Sequence, residues 1–214
     1  MRVIAIDGPA GSGKSTVGRR LAERLGLDYL DTGAMYRAVA FAALRHGIDP
    51  DDDDRVGALA ADVAIEVADR VMVDGVDATV EIRGPEVTRA VGLVAANPLV
   101  RLELRRRQQE WAHEHGGGVI EGRDIGSVVF PEAELKLYLT ASPEARAARR
   151  AKEVTDLDYE TVAADLARRD ALDQGREHSP LVEAAGAVVL DTTDKDVDEV
   201  VDEVVASLRD EPSS

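Results

Sequence analysis

The chain has no cysteine, two phenylalanines, one tryptophan (Trp111) and a single asparagine (Asn97). Without cysteine there is no disulfide framework, no thiolate nucleophile and no thiolate-held metal. The four histidines, His46, His113, His115 and His178, show no metal-ligand spacing such as H-E-x-x-H and read as surface or loop residues. With aromatics at 3% and hydrophobic residues at 44%, the core has to be built from Ala, Val and Leu. Lysine is scarce too: Lys14, Lys136, Lys152 and Lys195 are the only ones, so positive charge is carried almost entirely by arginine. Acidic residues outnumber basic ones by 42 to 26, and the net charge of -16 argues against a nucleic-acid or anionic-membrane partner. No apolar run approaches the length of a membrane span, and the chain opens on a strand with no signal-peptide pattern, so a cytoplasmic protein is expected. With no long exposed apolar face in view, the expected state is a monomer.

Against these absences stands one dense motif. Gly8-Pro9-Ala10-Gly11-Ser12-Gly13-Lys14-Ser15 matches the phosphate-loop pattern G-x-x-x-x-G-K-[ST] at every fixed position. It follows the apolar run Val3-Ile4-Ala5-Ile6 and opens an amphipathic run ending near Leu25. Glycines let successive backbone N–H groups turn inward on one anion. Lys14 adds a positive charge for the β and γ phosphates, the Ser15 hydroxyl suits Mg²⁺, and the helix contributes the positive end of its dipole. The motif serves NTPases, kinases and GTPases alike. A GTPase-type switch is disfavoured because guanine recognition there uses N-K-x-D, whereas Asn97 is followed by Pro98 and Leu99.

The rest of the chain reads as alternating strands and helices. Asp28-Tyr29-Leu30 is a short strand ending at Asp31-Thr32-Gly33, and Ala34 to Leu44 is a helix with Thr32 or Gly33 near its cap. Asp49 to Asp54 reads as a solvated helix start. Ala64 to Val67 and Val71 to Val73, followed by the turn Asp74-Gly75, suggest a small antiparallel insert. Helices follow from Pro85 to Asn97 and from Leu99 to His113. In the latter, Arg105, Arg106 and Arg107 read as a solvated face. Gly116-Gly117-Gly118 reads as a loop feeding strand Val119-Ile120, which ends in Glu121-Gly122-Arg123-Asp124 at the ligand end of the sheet. Strands Leu135 to Leu139 and Ala187 to Leu190, with helices after Pro143, Tyr159 and Val197, complete a three-layer α/β fold. At its centre is a parallel five-stranded sheet.

Several separately spaced motifs together resemble the bacterial cytidylate kinase family. They are Ile6 to Ser15, Asp31-Thr32-Gly33-Ala34-Met35-Tyr36-Arg37, Glu81-Ile82-Arg83, Glu121-Gly122-Arg123-Asp124-Ile125-Gly126 through Val128-Val129-Phe130-Pro131, Arg169-Asp170, Ser179-Pro180-Leu181, and Asp191-Thr192-Thr193. They occur in that family's order over nearly the whole chain. The resemblance implies transfer of the γ-phosphoryl group of ATP to CMP or dCMP, with Mg²⁺. It implies a sheet of the P-loop kinase type, a core of residues 1–62, 116–142 and 173–214, an NMP-binding insert at 63–115 and a helical lid at 143–172. Gly8, Pro9, Ala10, Gly11, Ser12, Gly13, Lys14, Ser15 and Thr16 would hold ATP, and Lys14, Arg123, Arg146 and Arg149 would be catalytic. Arg37, Arg123 and Arg176 would clamp the acceptor phosphate, framed by Asp31, Thr32 and Tyr36. Arg101 and Asp124 would read the cytosine edge, and Arg169 and Asp173 would contact the pentose. Ser15 would ligate the metal, and Glu121 would reach it through water. The chain departs from the pattern at Gly92, where the family commonly has a hydroxyl residue, and the lid and the Val71 to Val80 segment are short. A P-loop kinase with another or broader acceptor, such as UMP, and a nucleotide-binding switch or regulatory module are the competing readings.

Overall fold

The apolar run that precedes the phosphate loop becomes the central strand of a sheet in the computed structural model, which describes residues 1–153, 158–175 and 181–210. In chain order the elements are β1 (Arg2–Asp7), α1 (Lys14–Leu25), β2 (Tyr29–Asp31), α2 (Thr32–Arg45), α3 (Asp53–Asp62), β3 (Ile65–Val67), β4 (Val71–Val73) and β5 (Val76–Asp77). After a 3₁₀ turn at Glu81–Arg83 come α4 (Pro85–Ala96), α5 (Pro98–Glu114), β6 (Gly117–Gly122) and a π-helical turn at Ile125–Val129. Then follow β7 (Leu135–Thr140), α6 (Pro143–Glu153), α7 (Tyr159–Gln174), β8 (Val188–Asp191) and α8 (Val197–Asp210). No helix among the described residues is long and apolar enough to cross a membrane.

The chain divides into two compact units, Met1–Tyr29 with Gly116–Ser214, and Leu30–His115. The five-stranded sheet has the order β2-β6-β1-β7-β8, with β1 parallel to both β6 and β7, and β7 parallel to β8. Strand β6 is buried throughout and β1 nearly so, as expected for a parallel sheet covered on both faces. Val17 and Leu21 of α1 and Val200, Val201 and Val204 of α8 pack with Ile4, Ile6, Leu137, Leu139 and Leu190. Each fully buried aliphatic side chain there contributes about 1.5–3 kcal/mol. The pairs Arg20–Asp198 (3.0 Å) and Arg24–Asp202 (2.9 Å) join the exposed edges of α1 and α8 and add little to that. Gly117 and Gly118, expected as loop, belong to β6. A Cβ on Gly117 would stand 2.0 Å from the Arg2 carbonyl oxygen, so glycine is what lets β6 lie against β1.

The second unit takes in α2 and α3 as well as the 63–115 segment expected as an insert, because α2 packs on α4 and α3 on α5. Its small antiparallel sheet, β3-β4-β5, has one strand more than expected, the two-residue β5. Helix α2 starts at Thr32, two residues before the expected start, and its cap is Asp31, whose carboxylate accepts from the Ala34 N–H at 3.0 Å. The acidic run does begin a helix: Asp52 caps α3 by accepting from Arg55 N–H. Arg106 lies on a solvated face with Glu103 and Glu110, as read. Arg107 does not. It reaches across to the carbonyls of Val63 (2.7 Å), Ala60 (2.8 Å) and Ala61 (2.9 Å), closing the C-terminal end of α3 where carbonyls lack helical partners.

Candidate active site

The phosphate loop leaves β1 at Asp7 and enters α1 at Lys14. Gly13, at φ 89°, occupies the left-handed region at the helix N-cap. Gly8, at φ 148°, lies so close to β7 that a Cβ would stand 2.1 Å from the Leu139 carbonyl oxygen. Both positions need glycine for conformation or space. Lys14 is 7% exposed and donates to the Pro9 carbonyl at 2.8 Å, folding back over its own loop. Burial, then Arg123, lower its pKa against the pull of Glu121, Asp7 and Asp173. Because burial is the main cause, an anion placed beside the ammonium would favour its charged form. Ser15 and Thr16 are exposed on the first turn of α1, whereas Ser12 Oγ is buried with no hydrogen-bond partner among the described residues.

Around this loop the first unit gathers charged side chains from four elements. Glu121, 3% exposed near the end of β6, pairs in register with Ile6 and accepts from the Tyr29 hydroxyl at 2.5 Å. Arg123 donates through Nε to Asp173 Oδ2 at 2.8 Å and through Nη1 to the Gly122 carbonyl at 3.1 Å. Burial opposes its charge, and Asp173, Glu121 and Asp170 overcome that and raise its pKa. Asp124 is 6% exposed at the entry to the π-helical turn. From α6, Arg146 donates to Asp170 at 2.5 Å and to the Ala10 carbonyl at 3.2 Å, and its Nε is buried without a partner among the described residues. Arg149 donates to the Thr192 hydroxyl at 2.9 Å and to the Thr192 carbonyl. Arg169 on α7 is half-buried, and burial together with Arg123 lowers its pKa. Arg176 and Ser179-Pro180 lie outside the described residues, as do the lid residues 154–157.

In the second unit Thr32 is buried at the start of α2, with Tyr36 and Arg37 in its first turns. Arg37 donates to the Ile82 carbonyl at 3.0 Å and to the Thr88 hydroxyl at 3.1 Å. The Arg101 guanidinium lies 5.7 Å from the Tyr36 ring centroid and donates to the Ala95 carbonyl at 3.1 Å. Asp31 serves as the cap of α2 and stands 3.8 Å from Arg83. The 3₁₀ turn at Glu81–Arg83 thus supplies Arg37 with the Ile82 carbonyl and places Arg83 near Asp31.

Three contributors, Asp170, Tyr29 and Asp7, were given no role on sequence grounds, and Asp173, expected at the pentose, has a second one. Asp170 and Asp173 lie three residues apart on α7, so they share a face and grip Arg146 and Arg123 respectively; that spacing was the available signal. Tyr29 and Asp7 had none, since their partners Glu121 and Ile125–Gly126 are distant in the chain. Thr192 fell within a quoted motif, and its work is now visible. Its hydroxyl accepts from Arg149 and donates to the Ser12 carbonyl at 3.0 Å, with the Thr140 carbonyl at 3.1 Å. Thr192→Val keeps the shape and deletes these bonds. It is expected to destabilise the protein by about 1–3 kcal/mol, and an unchanged thermal midpoint would show that the bonds are not formed in solution.

The model of the family described as cytidylate kinase matches residues 4–210. A cytidylate kinase of Mycobacterium avium is 50% identical over 217 residues, covering 97% of this chain and 95% of the relative. One from Caldanaerobacter subterraneus subsp. tengcongensis is 45% identical over 212 residues, covering 96% and 94%. Among solved structures, a shikimate kinase from Bacteroides thetaiotaomicron is similar with a TM-score of 0.50 at 11% identity, covering 97% of this chain and 98% of that one. That likeness concerns the fold alone.

Proposed function

Because this chain belongs to the cytidylate kinase family, we propose that it transfers the γ-phosphoryl group of ATP to CMP or dCMP, yielding ADP and CDP or dCDP. The observation that carries this reading is the gathering of Lys14, Arg123, Arg146 and Arg149 about one phosphate loop. An acceptor phosphate is already an anion near neutral pH, so its oxygen attacks the γ-phosphorus without a strong general base. What remains is to hold two repelling polyanions in line and to neutralise charge as the bond to the β,γ-bridging oxygen breaks.

Each side chain then has a task. Lys14 exchanges the Pro9 carbonyl for the donor phosphates. The Ser12 hydroxyl and Arg146 Nε, buried and unpartnered among the described residues, are donors suited to the nucleotide. Arg146 and Arg149 stabilise the transferring phosphoryl group and, with the short lid, exclude water that would hydrolyse ATP. Arg37, Arg123 and Arg176 hold the acceptor phosphate, with Thr32 and Tyr36 framing it. Arg101 and Asp124 read the cytosine edge, where a carboxylate accepts from an exocyclic amine that uracil lacks. Arg169 and Asp173 contact the pentose.

The residues present also fit Mg²⁺. The Ser15 hydroxyl and, through water, the Glu121 carboxylate are oxygen donors suited to a hard cation that otherwise takes its ligands from phosphates and water. When bound, the ion would neutralise charge on the β and γ phosphates. No group of three or more His, Cys, Asp and Glu side chains among the described residues could hold a metal by itself. A cytoplasmic monomer acting on free nucleotides goes with this reading, and the net charge of -16 supports small-molecule partners over nucleic acid.

The test is ADP production from ATP and Mg²⁺ with CMP, dCMP, UMP and AMP as separate acceptors, against a control without acceptor. Strong turnover with CMP and dCMP alone is expected. Comparable turnover with UMP would tie Gly92 to a relaxed base site, and turnover independent of any acceptor would overturn the reading.

A further inference from the structure

Asp7 is the last residue of β1, and Gly8 of the phosphate loop follows it directly. Its side chain is 3% exposed. One carboxylate oxygen accepts from the Ile125 N–H and the other from the Gly126 N–H, each at 2.8 Å. These are the first two amides after Arg123 and Asp124, at the point where the chain has left β6 and no strand pairing supplies acceptors. Further on, the π-helical turn closes on itself, with the Asp124 carbonyl accepting from Val128 and Val129 and the Ile125 carbonyl from Phe130. The two opening amides are therefore served by Asp7.

One buried carboxylate thus ties the root of the phosphate loop to the corner that carries Arg123 and Asp124. We infer that Asp7 is a positioning residue for the acceptor nucleotide, setting where Arg123 and Asp124 stand relative to the phosphate loop without touching substrate. The inference rests on the proposed roles of Arg123 and Asp124. The site is a poor one for a group whose purpose is stability. Burial raises the Asp7 pKa to about 6 despite both N–H bonds, with Asp124 adding like-charge repulsion. Two acceptors on a rigid fork are what the corner requires. An asparagine of the same size would offer one acceptor and set its own N–H₂ against the other amide.

Asp7→Asn is the direct test, read by CMP and ATP kinetics, by calorimetric ATP binding without CMP, and by thermal midpoint. A corner displaced by a fraction of an ångström should lower kcat/KM for CMP by about 10- to 100-fold. The ATP dissociation constant should change far less, since Asp7 is a minor influence on Lys14, and the midpoint should change little, because losing one N–H bond is offset by removing a buried carboxylate. A parallel loss of ATP binding, CMP turnover and midpoint would mark a structural role only, and unchanged CMP kinetics would also overturn the inference. If Asp7→Asn does not fold, Asp7→Glu keeps charge and both acceptors but moves the corner by a methylene. It should raise the KM for CMP and spare ATP binding, and unchanged CMP kinetics in that folded variant would overturn the inference equally. Asp124→Asn separates the two layers of the argument. If it leaves CMP kinetics untouched, the acceptor role of the corner fails. If it impairs CMP while Asp7→Asn does not, only the positioning role of Asp7 fails.

Discussion

Lys14→Met is expected to abolish useful turnover, lowering kcat by at least about 10²- to 10³-fold, the usual loss on removing one preorganised charged donor from developing negative charge. The fold should survive. Lys14 is buried, its ammonium donates to the Pro9 carbonyl at 2.8 Å, and burial and Arg123 lower its pKa. A lysine whose folded pKa lies below its unfolded value is destabilising wherever the unfolded chain would carry the extra proton, which includes neutral pH. An apolar side chain of similar volume removes that penalty, so the thermal midpoint should hold or rise while phosphoryl transfer disappears. A single-turnover assay with CMP and a melting curve on the same preparation check both halves. Retained turnover in the folded variant would remove Lys14 from the mechanism.

Arg123→Ala should be equally damaging to transfer, by about 10²- to 10³-fold in kcat/KM for CMP, but with the opposite effect on stability. Arg123 and Asp173 form a pair whose side chains are 21% and 10% exposed. Truncating the cation leaves a carboxylate in a largely dry site and costs about 3 kcal/mol or more. The double variant Arg123→Ala/Asp173→Ala should recover much of the lost midpoint and none of the activity. Arg123→Lys should keep the midpoint better than alanine yet restore turnover only in part, because an ammonium lacks the planar fork that grips a phosphate at two oxygens. Near-normal CMP turnover in folded Arg123→Ala would refute its role.

The two predictions differ in how they could be foreseen. Lys14 belongs to a motif whose parts are local. A buried strand, glycines able to enter the left-handed region and a helix N-terminus lie within fifteen residues, and the structure builds them in that order. Arg123 could be placed at a strand end from sequence, but not its grip by Asp173, which lies fifty residues on. The same distinction runs through the fold. Helix caps are short-range events: the acidic run reads as a helix start, and Asp52 caps it, while the cap of α2 is Asp31, next to the expected Thr32 or Gly33. Gly117 and Gly118 read as loop because glycine is a turn residue by propensity, and only the close approach of β1 turns them into strand. Arg107 looked like one more solvated arginine because the α3 carbonyls it closes are more than forty residues away.

By itself, then, the sequence determined the alternation of strands and helices, the phosphate loop with its lysine, the family resemblance and the identity of most charged residues proposed for the site. Those follow from periodicity, conformational preference and motif spacing, which act over a few residues at a time. Only the tertiary structure decided the partners: Arg146 with Asp170, Arg149 with Thr192, Glu121 with Tyr29, and Asp7 with the amides of Ile125 and Gly126. The physical reason is that a buried polar group must find a complement wherever packing brings one. Which complement that is depends on parallel strand register and helix docking between segments up to 180 residues apart.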